Sequence, residues 1–255
     1  MTAHERSRDD ALTTRQAQLV TGLAAVRARL ARAAEAAGRR VDEIELLPIT
    51  KYFPASDVLI LHRLGCREFG ESREQEASAK AARVRAALHE PVRWHMVGRI
   101  QRNKVRSIAS WAYAAHSVDN DRLIAALDRA STEALAHGRR GEPLRVYLQL
   151  SLDGDESRGG VDVRRPDLVD ELCGIIQAAE GLHLEGVMGI PPLDWAPDDA
   201  FAGLQAERLR VQRDYPQPLG LSAGMSGDLE VAVRHGSTCV RVGTALLGQR
   251  PLTSP

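Results

Sequence analysis

Between residues 14 and 38, Leu19, Leu23, Val26, Leu30 and Ala34 recur at spacings of three and four. That is the period of a helix with one apolar face, and Gly38 reads as its stop. Downstream the pattern changes to eight short apolar or β-branched runs, at residues 44–50, 66–70, 92–98, 111–118, 144–151, 182–190, 219–223 and 239–243. Each of the first seven precedes a stretch whose helical phase is carried by Leu, Ile, Val and Ala: 56–64, 74–88, 103–110, 120–137, 167–179, 198–215 and 229–234. Runs such as LRVYLQL are apolar on both faces, as in a parallel sheet covered by helices outside and by itself inside. Eight strand–helix units predict an α/β protein with a single (β/α)8 TIM barrel over residues 14–250 and an extra N-terminal helix. Residues 1–13 are expected as a disordered tail and 251–255 as a frayed one. An open doubly wound sheet is the competing arrangement; the count of eight and the lack of a GxGxxG turn after the first strand weigh against it.

Composition narrows the partners. Of 255 residues, 44% are hydrophobic and 27% charged, enough to bury a full core, while 34 Lys+Arg balance 34 Asp+Glu. A chain without net charge has no general grip on nucleic acid or on a membrane surface. The polar start MTAHERSRDD carries no apolar segment behind it, and nowhere is there a run of the roughly 20 apolar residues a membrane span needs. Cys66, Cys173 and Cys239 lack metal-ligand or CxxC spacing and are expected as buried thiols of a reducing compartment. A cytoplasmic location is expected.

In a barrel the chemistry sits where the strands end. Lys51 directly follows the first strand and, by the period of two, shares a face with Leu47 and Ile49. If that face is interior, Lys51 points into the mouth, where its amine could attack an aldehyde to form an imine; the plain alternative is a surface lysine closing a strand. In CVRVGTALLG, Arg241 and Gly243 share one face and Val240 and Val242 the other, which directs an arginine into the barrel, an expensive position unless an acceptor meets it. The Gly243–Thr244 turn offers backbone N–H groups and a hydroxyl to a phosphate. Barrel closure makes strand eight the neighbour of strand one, so this turn lies beside Lys51. The seventh strand ends in LSAGMSGDLE, where Ser226 offers both hydroxyl and N–H, and loops seven and eight are the usual phosphate loops of such barrels. Taken alone, Ser226 reads as an ordinary helix N-cap.

The segments PITKYFP, EFGES, WHMVGRIQRNK, GMSGDLE and VRVGTALLG resemble those of the pyridoxal phosphate homeostasis protein family, over about residues 41–248. The resemblance implies a single barrel of the alanine racemase N-terminal type that binds pyridoxal 5′-phosphate and serves intracellular vitamin B6 and amino-acid homeostasis, without established catalysis. It implies Lys51 as the Schiff-base lysine, Ser226, Gly243 and Thr244 at the phosphate, and Arg241 facing the pyridine nitrogen. With Ser72, His95 and Met225, these form the expected cofactor-binding set. Two departures stand out. Ser72 occupies the place of a family asparagine in FGEN, and Arg158 stands where many members carry a lysine, whose imine chemistry a guanidinium cannot take over.

His95 reads equally as a packing residue. The cluster Arg99, Arg102, Lys104 and Arg106 reads as a solvated face or as an anion-attracting rim. Trp94, Trp111 and Trp195 are expected to pack against helices. No set of His, Cys, Asp and Glu has metal-ligand spacing, and no nucleophile elbow or P-loop is present. The expected role is a monomeric carrier that hands the cofactor to pyridoxal-phosphate-dependent apoenzymes. The alternatives are a one-domain amino-acid racemase, with His95, Tyr52 or a thiol as the second base beside Lys51, and a barrel for another phosphorylated metabolite.

Overall fold

The structure is a computed structural model and describes residues 3–155 and 157–249. The elements run α1 (Ala3–Ala36), β1 (Glu45–Pro48), α2 (Ala55–Arg63), β2 (Glu68–Glu71), α3 (Glu74–Ala87), β3 (Arg93–Met96), α4 (Val105–Trp111), β4 (Ala114–Val118), α5 (Asp121–Ala136), β5 (Leu144–Ser151), β6 (Val161–Asp162), α6 (Pro166–Ala178), β7 (Leu182–Gly189), α7 (Pro197–Gln212), β8 (Gly220–Ser222), α8 (Leu229–Arg234), β9 (Cys239–Val242) and α9 (Thr244–Leu247). Eight parallel strands form a ring in the order β1-β9-β8-β7-β5-β4-β3-β2, with the two-residue β6 attached to β5 outside it. The ring returns on itself through one bridge, Ile49 opposite Gly70, reinforced by the Thr50 N–H donating to the Gly70 carbonyl at 2.9 Å. The barrel and the eight strand runs are as the hydrophobic pattern predicts.

The pleat sorts the side chains. Leu47, Ile49 and Cys239 pack together inside the ring, while Val240, Val242 and Phe69 face outward into a core shared with Leu19, Leu23, Val26, Leu30 and Leu61. A second outer core joins β4, β5 and β7 to the apolar faces of α4–α7. α1 lies across α8 and α9, and a Cβ at Gly22 would collide with the Leu246 carbonyl, so this helix crossing requires a glycine.

Several boundaries differ from expectation. α1 begins at Ala3, so the tail expected over 1–13 is helical from that residue. Its first turns lack the apolar periodicity that marks the rest of the helix. Trp111 ends α4 rather than opening a strand. Trp94 is buried and Trp111 half-buried, but Trp195 is 41% exposed and does not pack into a core. All three cysteines are buried, as expected. Residues 251–255 lie outside the described residues. Among those described, no helix is long and apolar enough to cross a membrane.

Candidate functional site

Lys51 leaves β1 at the C-terminal mouth of the barrel, half-buried. Its two predecessors on the same face, Leu47 and Ile49, are interior, which sets its direction. Its Nζ lies 6.0 Å from the centroid of the Tyr52 ring, and the Arg73 guanidinium lies 5.1 Å from the same ring. Tyr52 has φ 70°, a left-handed conformation that a bulky side chain rarely adopts and that clusters at functional sites. Thr50, just before Lys51, is clamped from outside. Its hydroxyl donates to Glu71 at 2.6 Å, Lys80 Nζ donates to the same carboxylate oxygen at 2.6 Å, and Lys80 also donates to the Thr50 carbonyl at 2.8 Å. Glu71 is wholly buried, and burial pushes its carboxyl upward against the pull of Lys80. Nothing in the sequence marked Lys80 or Glu71, because a lysine on a polar-looking helix reads as solvated.

The neighbouring strand β9 carries Arg241, in register with Leu47. The guanidinium is fully buried and has no carboxylate partner among the described residues. Nη1 donates to the Ser222 carbonyl at 2.7 Å and to its hydroxyl at 2.6 Å, and Nη2 donates to the Gly189 carbonyl at 3.1 Å. The Arg241 N–H also holds the carbonyl of Gly224, in the β8–α8 turn. Gly224 has φ +91°, and a Cβ there would strike Ala232. This turn meets the next one directly: the Ala245 N–H donates to the Ser226 hydroxyl at 3.3 Å. Gly243 lies against Ile49, Thr244 is exposed, and Met225 is 40% exposed at the rim. Lys51, Ser226, Gly243, Thr244 and Met225 thus stand at the ends of three adjacent strands above Arg241.

Ser72 follows β2 directly and lines a cavity of about 390 Å³ with Arg73, Glu74, Met96, Arg99 and Lys104, on the side of the sheet where Met96 packs with α4. His95 is 2% exposed inside the barrel, with Nε2 2.7 Å from Glu68 Oε2 and Nδ1 2.9 Å from His116 Nε2.

His95 belongs to a chain that sequence reasoning missed, running across the interior from Glu68 through His95, His116 and Ser222 to Arg241. His116 Nδ1 is 2.9 Å from the Ser222 hydroxyl, and its ring stacks on Tyr147 at 4.3 Å. Complete burial, then His95 and Arg241, hold the His116 imidazolium form far below the usual range, so the ring is neutral. At the floor, burial and the adjacent Glu68 push Glu45 up to about 9. Burial also opposes ionisation of Glu68, but hydrogen bonds with His95, Glu45 and Arg93 bring it down to about 2. Burial thus favours the protonated form of Glu45 and hydrogen bonding the ionised form of Glu68. Ligand atoms of Glu45, Glu68 and His95 come within 4.8 Å of one another, a grouping no spacing revealed. Arg93 donates to Glu68 at 2.8 Å, and Glu45 Oε1 is buried without a hydrogen-bond partner among the described residues.

Comparison with known proteins shows the family. The family described as alanine racemase, N-terminal domain, matches residues 22–251. The pyridoxal phosphate homeostasis protein of Mycobacterium tuberculosis is 65% identical over 248 residues, covering 94% of this chain and 96% of its own. Among solved structures, an unknown protein from Bifidobacterium adolescentis superposes with a TM-score of 0.80 at 29% identity, over 91% of this chain and 96% of its own. PipY of Synechococcus elongatus, with PLP bound, gives a TM-score of 0.72 at 30% identity, over 86% of this chain and 100% of its own. The chain belongs to the alanine racemase N-terminal domain family and, within it, to the pyridoxal phosphate homeostasis proteins.

Proposed function

We propose that the protein binds pyridoxal 5′-phosphate at the barrel mouth, holds it as a Schiff base on Lys51, and passes it to apoenzymes. The observation that carries this reading is the convergence of Lys51, the Ser226 turn and the Gly243–Thr244 turn on three adjacent strands, above a buried arginine with no carboxylate partner among the described residues. The donor set fits the cofactor: a primary amine, two turns rich in N–H and hydroxyl donors, and a fixed cation. Pyridoxal 5′-phosphate supplies an aldehyde, which condenses with a primary amine to an imine with loss of water. Lys51 is that amine. Ser226, Gly243 and Thr244 hold the phosphate through charge-assisted hydrogen bonds. Arg241, permanently charged, keeps a pyridine nitrogen placed against it from taking a proton, which favours retention over carbanion chemistry.

The relatives are named for homeostasis of the cofactor rather than for a reaction, and the site supports the same non-enzymatic role here. A racemase needs a second base opposite Lys51. His95 is bound up with Glu68 and His116 on the barrel floor, and the thiols are buried, which leaves only Tyr52 of the three candidates. The proposed carrier acts as a monomer, and a stable dimer in light scattering would correct that.

Added cofactor should give visible absorption, and borohydride reduction should fix its mass on the peptide containing Lys51. Lys51→Ala should abolish both. A protein that takes up no cofactor sinks the reading, and D-amino acid formed from a single L-amino acid in a Lys51-dependent way overturns the non-enzymatic role.

A further inference from the structure

Nine large hydrophobic side chains are exposed among the described residues, and four of them, Ile190, Leu193, Trp195 and Met225, fall on two adjacent loops at the barrel mouth. Leu193 is wholly exposed at the tip of the β7–α7 loop. An exposed apolar cluster of this kind is a mark of an interaction site, and tryptophan is the commonest anchor of such sites. The loop is also held in place. Arg158 Nη2 donates to the carbonyls of Ile190 and Pro191 at 3.0 and 2.8 Å, while its Nη1 holds Asp153 at 3.2 Å.

Ile190 connects this loop to a basic hollow. With Ser117, Gln149, Arg99, Arg102 and Arg122 it lines a cavity of about 390 Å³ over the ends of β3, β4 and β5. Lys104, Arg106 and Arg158 nearby are matched by Glu74, Glu133 and Asp153. Arg99, Arg102 and Arg122 enter no ion pair among the described residues. Asp119 also lines the cavity, its carboxylate taken up by the Asn120 side chain and the Gly160 N–H, and the guanidinium groups outnumber it. An apolar anchor beside this excess of positive charge is complementary to a surface of carboxylates around an apolar hollow.

We propose that this rim is the docking surface for an acceptor protein of that chemistry, seated over the mouth so that the cofactor passes without entering bulk solvent. The proposal rests on the reading of the mouth as a pyridoxal 5′-phosphate site. A second copy of this chain, docked two-fold through the same loop, would instead face one mouth with the other and block transfer.

The test mixes the loaded protein with an apo-aminotransferase in the presence of a phosphatase that destroys free cofactor. Recovery of aminotransferase activity should persist, saturate with concentration and weaken steeply with salt. The triple variant Arg99→Glu, Arg102→Glu, Arg122→Glu and the double variant Leu193→Ser, Trp195→Ser should each slow transfer at least tenfold. Release into phosphatase alone should stay at the parental rate in both, showing that the site itself is intact. Loss of recovery with phosphatase present, or parental transfer by both variants, overturns the proposal. So does a dimer in sedimentation velocity that the double variant dissolves, which assigns the loop to self-association. If the protein takes up no cofactor, the functional reading fails separately; docking is then read as binding of the unloaded chain to the apo-aminotransferase by fluorescence anisotropy, and parental binding by the triple variant overturns it.

Discussion

Glu45 and Glu68 show how one buried contact splits two identical side chains. With Glu45 raised from 4.5 to about 9, the folded chain keeps a proton that the unfolded chain gives up, so stability falls as pH rises across that window. Glu68 acts in the opposite sense. Lowered to about 2, it contributes stability above the usual carboxylate range that is lost only as pH falls toward 2. Of these two carboxylates, only Glu45 changes stability between pH 5 and 9. Glu45→Gln, which keeps the shape of the protonated acid and a donor toward Glu68, should be progressively more stable than the parent as pH rises from 5 to 9, in urea melts at fixed ionic strength. Parallel curves for parent and variant would show that Glu45 is ionised. At the mouth, Ser226→Ala with Thr244→Val removes two hydroxyls while leaving Lys51 free to react. Each charge-assisted hydrogen bond contributes roughly 1.5–3 kcal/mol, so the cofactor should leave at least about ten times faster. Ser226→Ala also deletes the contact between the two turns. Retention equal to the parent's, measured by dialysis against a competing apoenzyme, would remove the phosphate from these turns.

The strands were legible because each repeats its chemistry every second residue: Leu47 and Ile49 inward, Val240 and Val242 outward, Arg241 inward. The same alternation located Lys51 and Arg241 relative to each other once closure placed β1 beside β9. What stayed hidden depends on contacts between elements far apart in sequence. His116 and Ser222 are 106 positions apart, and no local pattern in either strand distinguishes a hydrogen-bonded interior from an ordinary one. Trp195 was misplaced because an aromatic before a helix usually packs on it, whereas this loop is held outward by Arg158. Lys80 is the clearest case at the level of elements, since it ties α3 to both β1 and β2 through Thr50 and Glu71. Lys80→Met would strand the Glu71 carboxylate in the core and should cost about 3–5 kcal/mol, as for other broken buried pairs. Adding Glu71→Gln should recover most of that loss. A single variant as stable as the parent, by chemical denaturation, would mean that Glu71 is protonated and the pair is not ionic.

The barrel as a whole divides into a densely bonded floor and a mouth assembled beside a sparsely bridged seam. The floor closes on itself through Glu45, Glu68, His95 and Arg93, whereas β1 and β2 are joined near the mouth by the single bridge between Ile49 and Gly70. Lys51 leaves β1 just beyond that bridge, and the turns proposed to hold the phosphate follow β8 and β9 on the other side of β1. A ligand held by both groups ties β1 to β8 and β9, and so steadies the strand that must meet β2. Saturation at about 100 times the dissociation constant contributes about 2.7 kcal/mol, which in a chain of this size corresponds to a rise of about 5–10 °C in Tm. Added protection from hydrogen exchange should concentrate at residues 49–53, 224–227 and 243–245, and leave residues 93–96 and 114–116 unchanged. Lys51→Ala should keep a substantial part of the thermal shift, because the phosphate turns still bridge β8 and β9, but should lose the protection at residues 49–53. Protection spread evenly over all eight strands would show that the ligand stabilises the barrel globally rather than through the strands it ties together.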